Sequence, residues 1–298
     1  GEKELIKYIL ANCKTITPDD TAVTPIANTN LISTCDMLIQ SKHFPENMSY
    51  FQMGFKSVTV NVSDLAAMGA TPLGFLLSIA LPKDFEVANF KQIIKGVLKA
   101  CEYYGICLIG GDTNEASEII ISGTALGLCD NPLMKNTSEK GDLVVLTGKI
   151  GLAALGFNLE NDNIYTKKAL EPIAKIKEGI NIKNSGGTSA TDITDGLASE
   201  LYEMKRKDIG FMIYEDKLDI SAEFKSLAAE LNLNYLDLLL HVGEDFELVF
   251  TINKKNLHKL NFKYLVIGEV TDSKKVEIRL SDSTVRQISS RGYDHYVS

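Results

Sequence analysis

The sequence predicts an α/β protein built in two parts. Short apolar runs, of the length of buried strands, alternate with longer segments in which apolar residues recur at helical spacing. A fresh strand begins after the polar segment 129–141, which places a boundary near residue 140 and divides the chain into regions 1–140 and 141–298. With 298 residues, of which 45% are hydrophobic, the chain is long enough to bury one or two cores without metals or disulfides.

The first region reads as helices and strands in turn. Leu5, Ile6, Ile9 and Leu10 recur at helical spacing and predict an N-terminal helix. Residues 55–68 also have helical spacing, and Gly69 is placed to end that helix because glycine adopts the left-handed conformation of a C-cap. The other predicted elements are strands at 31–34, 74–81, 106–109 and 118–128 and a helix over 87–104.

The second region repeats this pattern after a strand predicted at 143–146. A helix is predicted to follow Thr194-Asp195-Gly196, and the segment NSGGTSA is predicted to be a Ser/Gly-rich loop. Further strands are predicted near 209–214, 247–252 and 264–270.

Composition excludes several classes of function. The formal charge is 31 − 39 = −8 and the pI is about 5.2, so we expect no nucleic-acid partner. The five cysteines have no CxxC spacing, which speaks against a disulfide framework and a structural zinc site. No signal peptide is recognisable, and the uncharged stretch 65–82 is interrupted by Gly69, Pro72 and Gly74, so we expect a cytoplasmic protein without a membrane segment.

The positions of the acidic residues are the main functional signal. Any one of them more often faces water, but collectively they follow or precede apolar elements, where α/β sheets bind ligands. Two like charges about 4 Å apart cost roughly 4 kcal/mol at an effective dielectric near 20, so a converging set would require bound cations. Oxygen ligands favour Mg²⁺, which points to phosphate chemistry. The residues are Asp19, Asp20, Asp36, Asp64, Asp112, Asp192, Asp195, Glu244 and Asp245, with His43 close to Asp36 in sequence.

The common nucleotide-binding signatures are missing. Gly148-Lys149 lacks the GxxxxGK[ST] arrangement, and no GxGxxG motif opens a helix. The Gly110-Gly111 pair is either a simple tight turn or a place where backbone amides approach a phosphate. No GxSxG elbow or reactive-cysteine context is present, so hydrolase chemistry has little support.

Five motifs together resemble the thiamine-monophosphate kinase family of the aminoimidazole-ribonucleotide-synthetase-like superfamily. They are NVSDLAAMGATP (61–72), LIGGDT (108–113), DITDGL (192–197), GEDFEL (243–248) and RGYDHY (291–296). The resemblance implies an N-terminal sheet domain plus a C-terminal α/β domain, active sites at a homodimer interface, and ATP as co-substrate. It also implies transfer of the ATP γ-phosphoryl group onto thiamine monophosphate, assisted by several Mg²⁺ ions.

The resemblance also implies roles for particular residues. No general base is predicted, because the acceptor phosphate oxygen is already ionised near neutral pH. The metal-site residues would be Asp20, Thr34, Cys35, Asp36, Asp64, Asp112, Asp192 and Asp195. ATP would meet Gly111, Asp112 and Thr194, with Lys135 near the place where relatives carry an arginine. The thiamine substrate would meet His43, Glu244 and Tyr293.

Two alternatives remain beside this interpretation. Another ATP-dependent enzyme of the superfamily would keep the metal and ATP residues but would act on a different small acceptor and would not depend on Glu244 or Tyr293. In this sequence Cys35 stands where the family has a threonine, and Lys135 stands near the family's arginine. If these two departures had removed catalysis, the chain would be a nucleotide-binding or metal-binding relative without turnover.

Overall fold

The computed structural model describes residues 2–13 and 18–290 and contains two β-sheets that are formed by successive parts of the chain. The helices are α1 (Glu2–Asn12), α2 (Gln40–His43), α3 (Tyr50–Ala67), α4 (Val87–Tyr104), α5 (Leu152–Gly156), α6 (Ile164–Leu170), α7 (Ile176–Asn184), α8 (Leu197–Met204), α9 (Ala222–Glu230) and α10 (Tyr235–His241). The strands are β1 (Ala22–Ile26), β2 (Thr29–Ile39), β3 (Thr71–Leu81), β4 (Cys107–Glu115), β5 (Ile120–Cys129), β6 (Leu143–Leu146), β7 (Gly187–Asp192), β8 (Gly210–Tyr214), β9 (Leu248–Ile252), β10 (Leu265–Thr271), β11 (Val276–Arg279) and β12 (Val285–Gln287). The predicted α/β fold class is confirmed.

The first sheet has the strand order β1-β2-β5-β3-β4. Its side chains alternate between two faces, as they must in any strand. One face, which includes Ile32, Phe75 and Ile121, packs against α3 and α4 to form the first core. The opposite face carries no helix within the described residues, and Met37 and Ile109 on it are more than half exposed.

The second sheet has the order β12-β11-β8-β10-β6-β9-β7. Most of its pairs are antiparallel, and β8 with β11 is parallel. One face packs on a core formed with α5, α8, α9 and α10, and the other face packs on α7 and the C-terminal end of α3. Helix α3 therefore lies between the two sheets, and the predicted boundary at residue 140 falls in the connection between β5 and β6.

Helix α3 has clear start and stop signals. Ser49 and Gln52 form a reciprocal capping box, in which each side chain accepts a hydrogen bond from the other residue's backbone N–H. Gly69, with φ of +66°, follows the last turn and confirms the predicted C-cap. The helix is buried along most of its length, so its polar side chains must find partners inside the protein.

The segment NSGGTSA differs from the predicted loop. The prediction is wrong for its second half, because β7 begins at Gly187 and pairs with β9, and Ser189 and Ala190 are fully buried. The small, polar composition that suggests a loop instead suits a strand at the edge of the sheet, packed closely beside α7. No helix among the described residues is both long and apolar enough to cross a membrane.

Candidate active site

A cluster of three aspartates, one buried and two half-buried, is the centre of the candidate site. Asp20 precedes β1, Asp64 lies in the last turns of α3, and Asp192 ends β7, and one carboxylate oxygen from each lies within 4.8 Å of the others. These residues belong to three distant parts of the sequence. The structure thus brings together three of the predicted metal-site residues.

Helix α3 adds one further residue, Asn61, beside Asp64. Asn61 and Asp64 are three positions apart and share one helix face. Asn61 Oδ1 accepts a hydrogen bond from the backbone N–H of Asp36 at 3.0 Å, and Asp64 accepts one from Thr34 Oγ1 at 2.5 Å. A side chain at Gly123 on β5 would collide with Asn61, so glycine there makes room for this contact. The NVSD motif therefore connects α3 to β2.

Burial and mutual repulsion raise the pKa values of these carboxyl groups. Burial followed by the charge of Asp20 raises the pKa of Asp192 to about 7. The pKa of Asp64 is well above its ordinary range because the group is buried beside Asp36, Asp192 and Asp20. The pKa values of Asp20 and Asp36 are also raised, in both cases mainly by burial. These four carboxyl groups can all be ionised at the same time only if positive charge lies close to them.

Lys135 supplies part of that charge. Its Nζ lies 2.6 Å from Asp20 Oδ1, and the same oxygen accepts a hydrogen bond from Thr191 Oγ1 at 3.0 Å. Burial lowers the pKa of Lys135, but the nearby Asp20 and Glu200 carboxylates outweigh this effect and raise it. The structure thus places the residue predicted to contact ATP against a predicted metal ligand.

The cluster fits a hard divalent cation. Asp20 Oδ2 and Asp192 Oδ2 are buried and have no hydrogen-bond partner within the described part of the chain. A buried carboxylate oxygen without a partner is costly, and coordination to a cation removes that cost. All the converging side-chain ligands are oxygens, which is the donor set that Mg²⁺ prefers.

Asp195 and Thr194 lie in the turn between β7 and α8. Glu200, on the first turns of α8, accepts a hydrogen bond from the Asp195 backbone N–H at 3.2 Å and a weaker one from Thr194 Oγ1 at 3.5 Å. Glu200 is buried, which raises its pKa well above the ordinary value. Sequence reasoning missed Glu200, although its position five residues after Asp195 on a predicted helix indicates that it can reach back to the turn.

A pocket of about 670 Å³ opens beside the carboxylates. Asp36 and Asp64 line it at the cluster, together with Thr194 and Asp195. The rest of its lining comes from both parts of the chain. It includes His43, Phe44, Lys56 and Val60 from the first part and Phe157, His241, Val242, Glu244 and Phe246 from the second.

The predicted substrate residues His43 and Glu244 both line this pocket. His43 Nδ1 accepts a hydrogen bond from the Ile39 backbone N–H at 2.9 Å. Glu244 lies in the GEDFEL segment, whose backbone pairs with the turn at 193–194. Tyr293, the third predicted substrate residue, lies outside the described residues.

Two of the predicted metal-site residues, Cys35 and Asp112, do not join the carboxylate cluster. Cys35 lies between Thr34 and Asp36 on β2, so its side chain points to the opposite, uncovered face of the sheet, where Sγ lies 3.6 Å from Ser122 Oγ. This leaves only the backbone carbonyl of Cys35 as a ligand for the cluster.

Asp112 lies on the exposed edge strand β4. Asp112 pairs with Ser78 on β3, Ser78 pairs with Ser122 on β5, and Ser122 pairs with Met37 on β2. Paired residues point to the same face of a sheet, so Asp112 lies on the uncovered face with Met37. Three strand spacings of about 4.8 Å, or about 14 Å, separate it from β2. Gly111, beside it, has φ of +156°, and a Cβ there would lie 1.8 Å from the Leu77 carbonyl oxygen. Within one chain, Asp112 cannot share a metal ion with Asp20, Asp64 and Asp192.

Comparisons with known proteins agree on one family. Residues 18–129 match the family model for the N-terminal domain of AIR synthase related proteins, and residues 139–281 match the model for their C-terminal domain. A thiamine-monophosphate kinase from Pyrococcus horikoshii is 38% identical over 93% of this chain and 90% of the relative. A thiamine-monophosphate kinase from Buchnera aphidicola subsp. Schizaphis graminum is 36% identical over 94% and 91%.

Solved structures give the same result. AaThiL complexed with AMPPCP and TMP is similar with a TM-score of 0.90 and 28% identity, covering 99% of this chain and 97% of that one. Thiamine monophosphate kinase from Aquifex aeolicus has a TM-score of 0.84 and 26% identity, with 93% and 96% coverage. The hydrogenase maturation protein HypE in complex with ATP, with a TM-score of 0.73 and 15% identity, shares the fold alone.

Proposed function

The chain belongs to the thiamine-monophosphate kinase family, and we propose that it transfers the γ-phosphoryl group of ATP to thiamine monophosphate, giving thiamine diphosphate and ADP. One observation carries the proposal for this site. Asp64 belongs to the carboxylate cluster and also lines the 670 Å³ pocket, so an acceptor in the pocket can direct its phosphate to the metal-binding residues. The other end of the pocket offers His43 and Glu244 to the acceptor's rings.

The carboxylates are the proposed magnesium ligands. Asp20, Asp64 and Asp192 would hold Mg²⁺, with Asp36 and Asp195 beside them. Bound Mg²⁺ neutralises phosphate charge and lets two anionic substrates approach each other. This need is acute here, because Lys135 brings one positive charge to a region that holds Asp20, Asp64, Asp192 and Glu200.

The residues of the chain position the two substrates. Thr194 is held by Glu200 at the cluster end of the pocket, where its hydroxyl can contact a phosphate of ATP. Lys135, ion-paired to Asp20, lies beside the proposed metal ligands and within reach of the same phosphates. Holding donor and acceptor in line is the larger part of catalysis in phosphoryl transfer, where the protein performs little covalent chemistry.

The reaction needs no general base. An oxygen of the acceptor phosphate bonds to the γ-phosphorus, and the bond from that phosphorus to the bridging oxygen breaks as ADP leaves. A phosphate monoester, with its second pKa near 6, is already largely ionised at neutral pH, so no proton has to be removed from the attacking oxygen. The buried carboxyl groups therefore act as ligands and positioning groups.

A homodimer completes the proposed site. The uncovered face of the first sheet, which we call the open face, carries Met37, Leu76, Ile109, Leu126 and Leu128. Such an apolar face on an otherwise regular sheet is typical of an interface. Asp112 lies on this open face, so pairing of two copies can bring it to a nucleotide that is bound at the cluster of the partner subunit.

The test is product formation from ATP and thiamine monophosphate, with Mg²⁺ and with excess chelator. We expect thiamine diphosphate and ADP in equal amounts with Mg²⁺ and neither with chelator. ADP release that does not depend on thiamine monophosphate, or ATP binding without diphosphate formation, would contradict the proposal. A screen of other small phosphorylated acceptors would then identify the substrate.

A further inference from the structure

Lys56 is a fully buried lysine in the pocket wall. It lies on α3 with 1% of its side chain exposed, and it is one of the largest fully buried side chains among the described residues. Burying an ammonium group is costly unless charge and hydrogen bonds compensate it. A lysine at this place therefore indicates a specific requirement for its ammonium group.

The partners of Lys56 are His43 and Glu244. These two residues lie at the end of the pocket away from the carboxylate cluster, where we expect the rings of the acceptor to bind, and we call this the ring end of the pocket. Lys56 Nζ lies 2.5 Å from Glu244 Oε2 and donates a hydrogen bond to the His43 carbonyl oxygen at 3.0 Å. His43 ends α2 in the first part of the chain, and Glu244 belongs to the GEDFEL segment of the second. One ammonium group thus joins the two walls of the pocket.

The GEDFEL backbone needs such a restraint. Glu244 and Phe246 have backbone φ angles of +67° and +50°, which residues other than glycine adopt only at a cost in energy. Phe246 packs into the core of the first part and holds one side of the segment. On the other side of the segment, the ion pair with Lys56 holds the Glu244 side chain in place.

The ion pair also decides what Glu244 offers to a ligand. Oε2 is buried against Lys56, while the side chain as a whole is 30% exposed, so Oε1 is the oxygen that a molecule in the pocket can meet. The charge of Lys56 compensates that of Glu244. The pair then presents a hydrogen-bond acceptor with little net charge, which suits a neutral amino group on a flat heteroaromatic ring.

We propose that Lys56 is a positioning residue that sets the affinity for the acceptor. It aims Glu244 Oε1 at the amino group of the acceptor's aminopyrimidine ring and ties this contact to the His43 segment. This inference rests on the proposed kinase function. It concerns the ring end of the pocket and leaves ATP and the metal ligands at the other end unaffected.

The test compares steady-state kinetics of the wild-type chain, Lys56→Met, Glu244→Gln and the double variant. We expect Lys56→Met to raise the KM for thiamine monophosphate at least tenfold while the KM for ATP stays within twofold. Because Lys56 acts through Glu244, the double variant should be no worse than the more affected single variant. A matched control is Lys175→Met, which removes a partly buried lysine paired to Glu247 at 3.0 Å, outside the pocket lining.

Each outcome is decisive. A folded Lys56→Met variant whose KM for thiamine monophosphate stays within twofold of the wild-type value overturns the inference, as do additive effects in the double variant. If Lys56→Met does not fold, Glu244→Asp replaces it, because the shorter side chain keeps the charge but moves the oxygens; an unchanged KM for thiamine monophosphate then overturns the inference. Absence of thiamine diphosphate with the wild-type chain refutes the proposed function itself, and the inference with it.

Discussion

The carboxyl groups that suit the site for metal binding also lower the stability of the folded protein. Asp64 is half-buried, accepts a hydrogen bond from Thr34 and faces the charges of Asp36, Asp192 and Asp20. A group in this environment costs free energy whenever it ionises without a cation nearby. The position therefore favours ligand binding at the expense of the free energy of folding.

Replacing Asp64 with Asn separates these two roles. We expect activity to fall by more than about 100-fold, since even partners that only orient a metal ligand are worth about 10- to 100-fold. In chelator, the free energy of unfolding should stay the same or rise by about 1 kcal/mol, because the change removes repulsion. Activity assays and urea unfolding in chelator measure the two effects. Asp84→Asn, at an exposed position, is the control that should change neither. Full activity in Asp64→Asn would refute the proposed role.

Asp245 gives a pH dependence that is independent of the metal ligands. It accepts hydrogen bonds from the Gly151 and Ala153 backbone N–H groups at the start of α5, but burial raises its pKa from 3.8 to about 7. The folded protein therefore holds this proton more tightly than the unfolded chain. The resulting stabilisation is complete below about pH 4 and is lost as the pH rises through 7.

Asp245→Asn should remove this part of the pH dependence. Between pH 4 and pH 8, the free energy of unfolding of the wild-type chain should fall relative to that of the variant by up to about 4 kcal/mol. Urea unfolding of both proteins at several pH values in chelator measures the difference. Parallel curves for the two proteins would show that Asp245 does not titrate as described.

Helix α3 is the element that organises the site. It carries Lys56, Asn61 and Asp64, and it packs against the first sheet on one side and against α7 on the other. Its contact with α7 is close, because the backbones approach each other at Gly179. The distance between the two parts of the chain is therefore set at this crossing.

A methyl group at Gly179 should disturb this crossing. A Cβ there would lie 2.0 Å from the Ala66 carbonyl oxygen, so we expect Gly179→Ala to lower the free energy of unfolding by about 3 kcal/mol, at the upper end for overpacking. It should also reduce activity, because Ala66 follows Asp64 closely on α3. Gly105→Ala is the control: Gly105 has φ of +70°, with no described atom within 4 Å of its Cβ position, so only about 1–2 kcal/mol of backbone strain is expected. Equal losses in the two variants would contradict the close packing.

At the scale of the whole molecule, the open face is the main apolar surface that the described residues leave uncovered. It carries apolar side chains on all four of β2, β3, β4 and β5, and each large side chain that becomes buried contributes about 1.5–3 kcal/mol. Asp112 lies on the same face, far from the cluster of its own chain. Both observations are explained if two copies pair through this face.

Ile109→Lys tests this pairing. Ile109 is 55% exposed on β4, and a lysine there would place a charge inside the proposed interface. We expect the wild-type chain to be a dimer and the variant to be a monomer with little activity, as measured by sedimentation and by thiamine diphosphate formation. The matched control is Val285→Lys, at a 50% exposed position on β12, which should stay dimeric and active. An active monomer of Ile109→Lys would refute the shared site.

Local features of the sequence predict much of this protein. Helix α4 has the predicted bounds, Gly69 ends α3, and the strand at 143–146 is present, because helical spacing, left-handed glycines and short apolar runs act over a few residues. The motifs also identify the family, which the comparisons confirm. The same local signals cannot separate β7 from a loop, since a strand of small polar residues at a sheet edge has no strong periodicity.

Only the tertiary structure decided which distant residues meet at the site. The sequence by itself determined which aspartates follow or precede apolar elements, but the meeting of Asp20, Asp64 and Asp192 depends on two sheets that pack around α3. The pairing of Lys56 with Glu244 likewise joins segments that are far apart in the chain. Strand alternation assigns side chains to faces, yet only the non-sequential order β1-β2-β5-β3-β4 shows that Asp112 lies across the sheet from Asp36. Contacts between distant segments are set by packing and register, which no short sequence window contains.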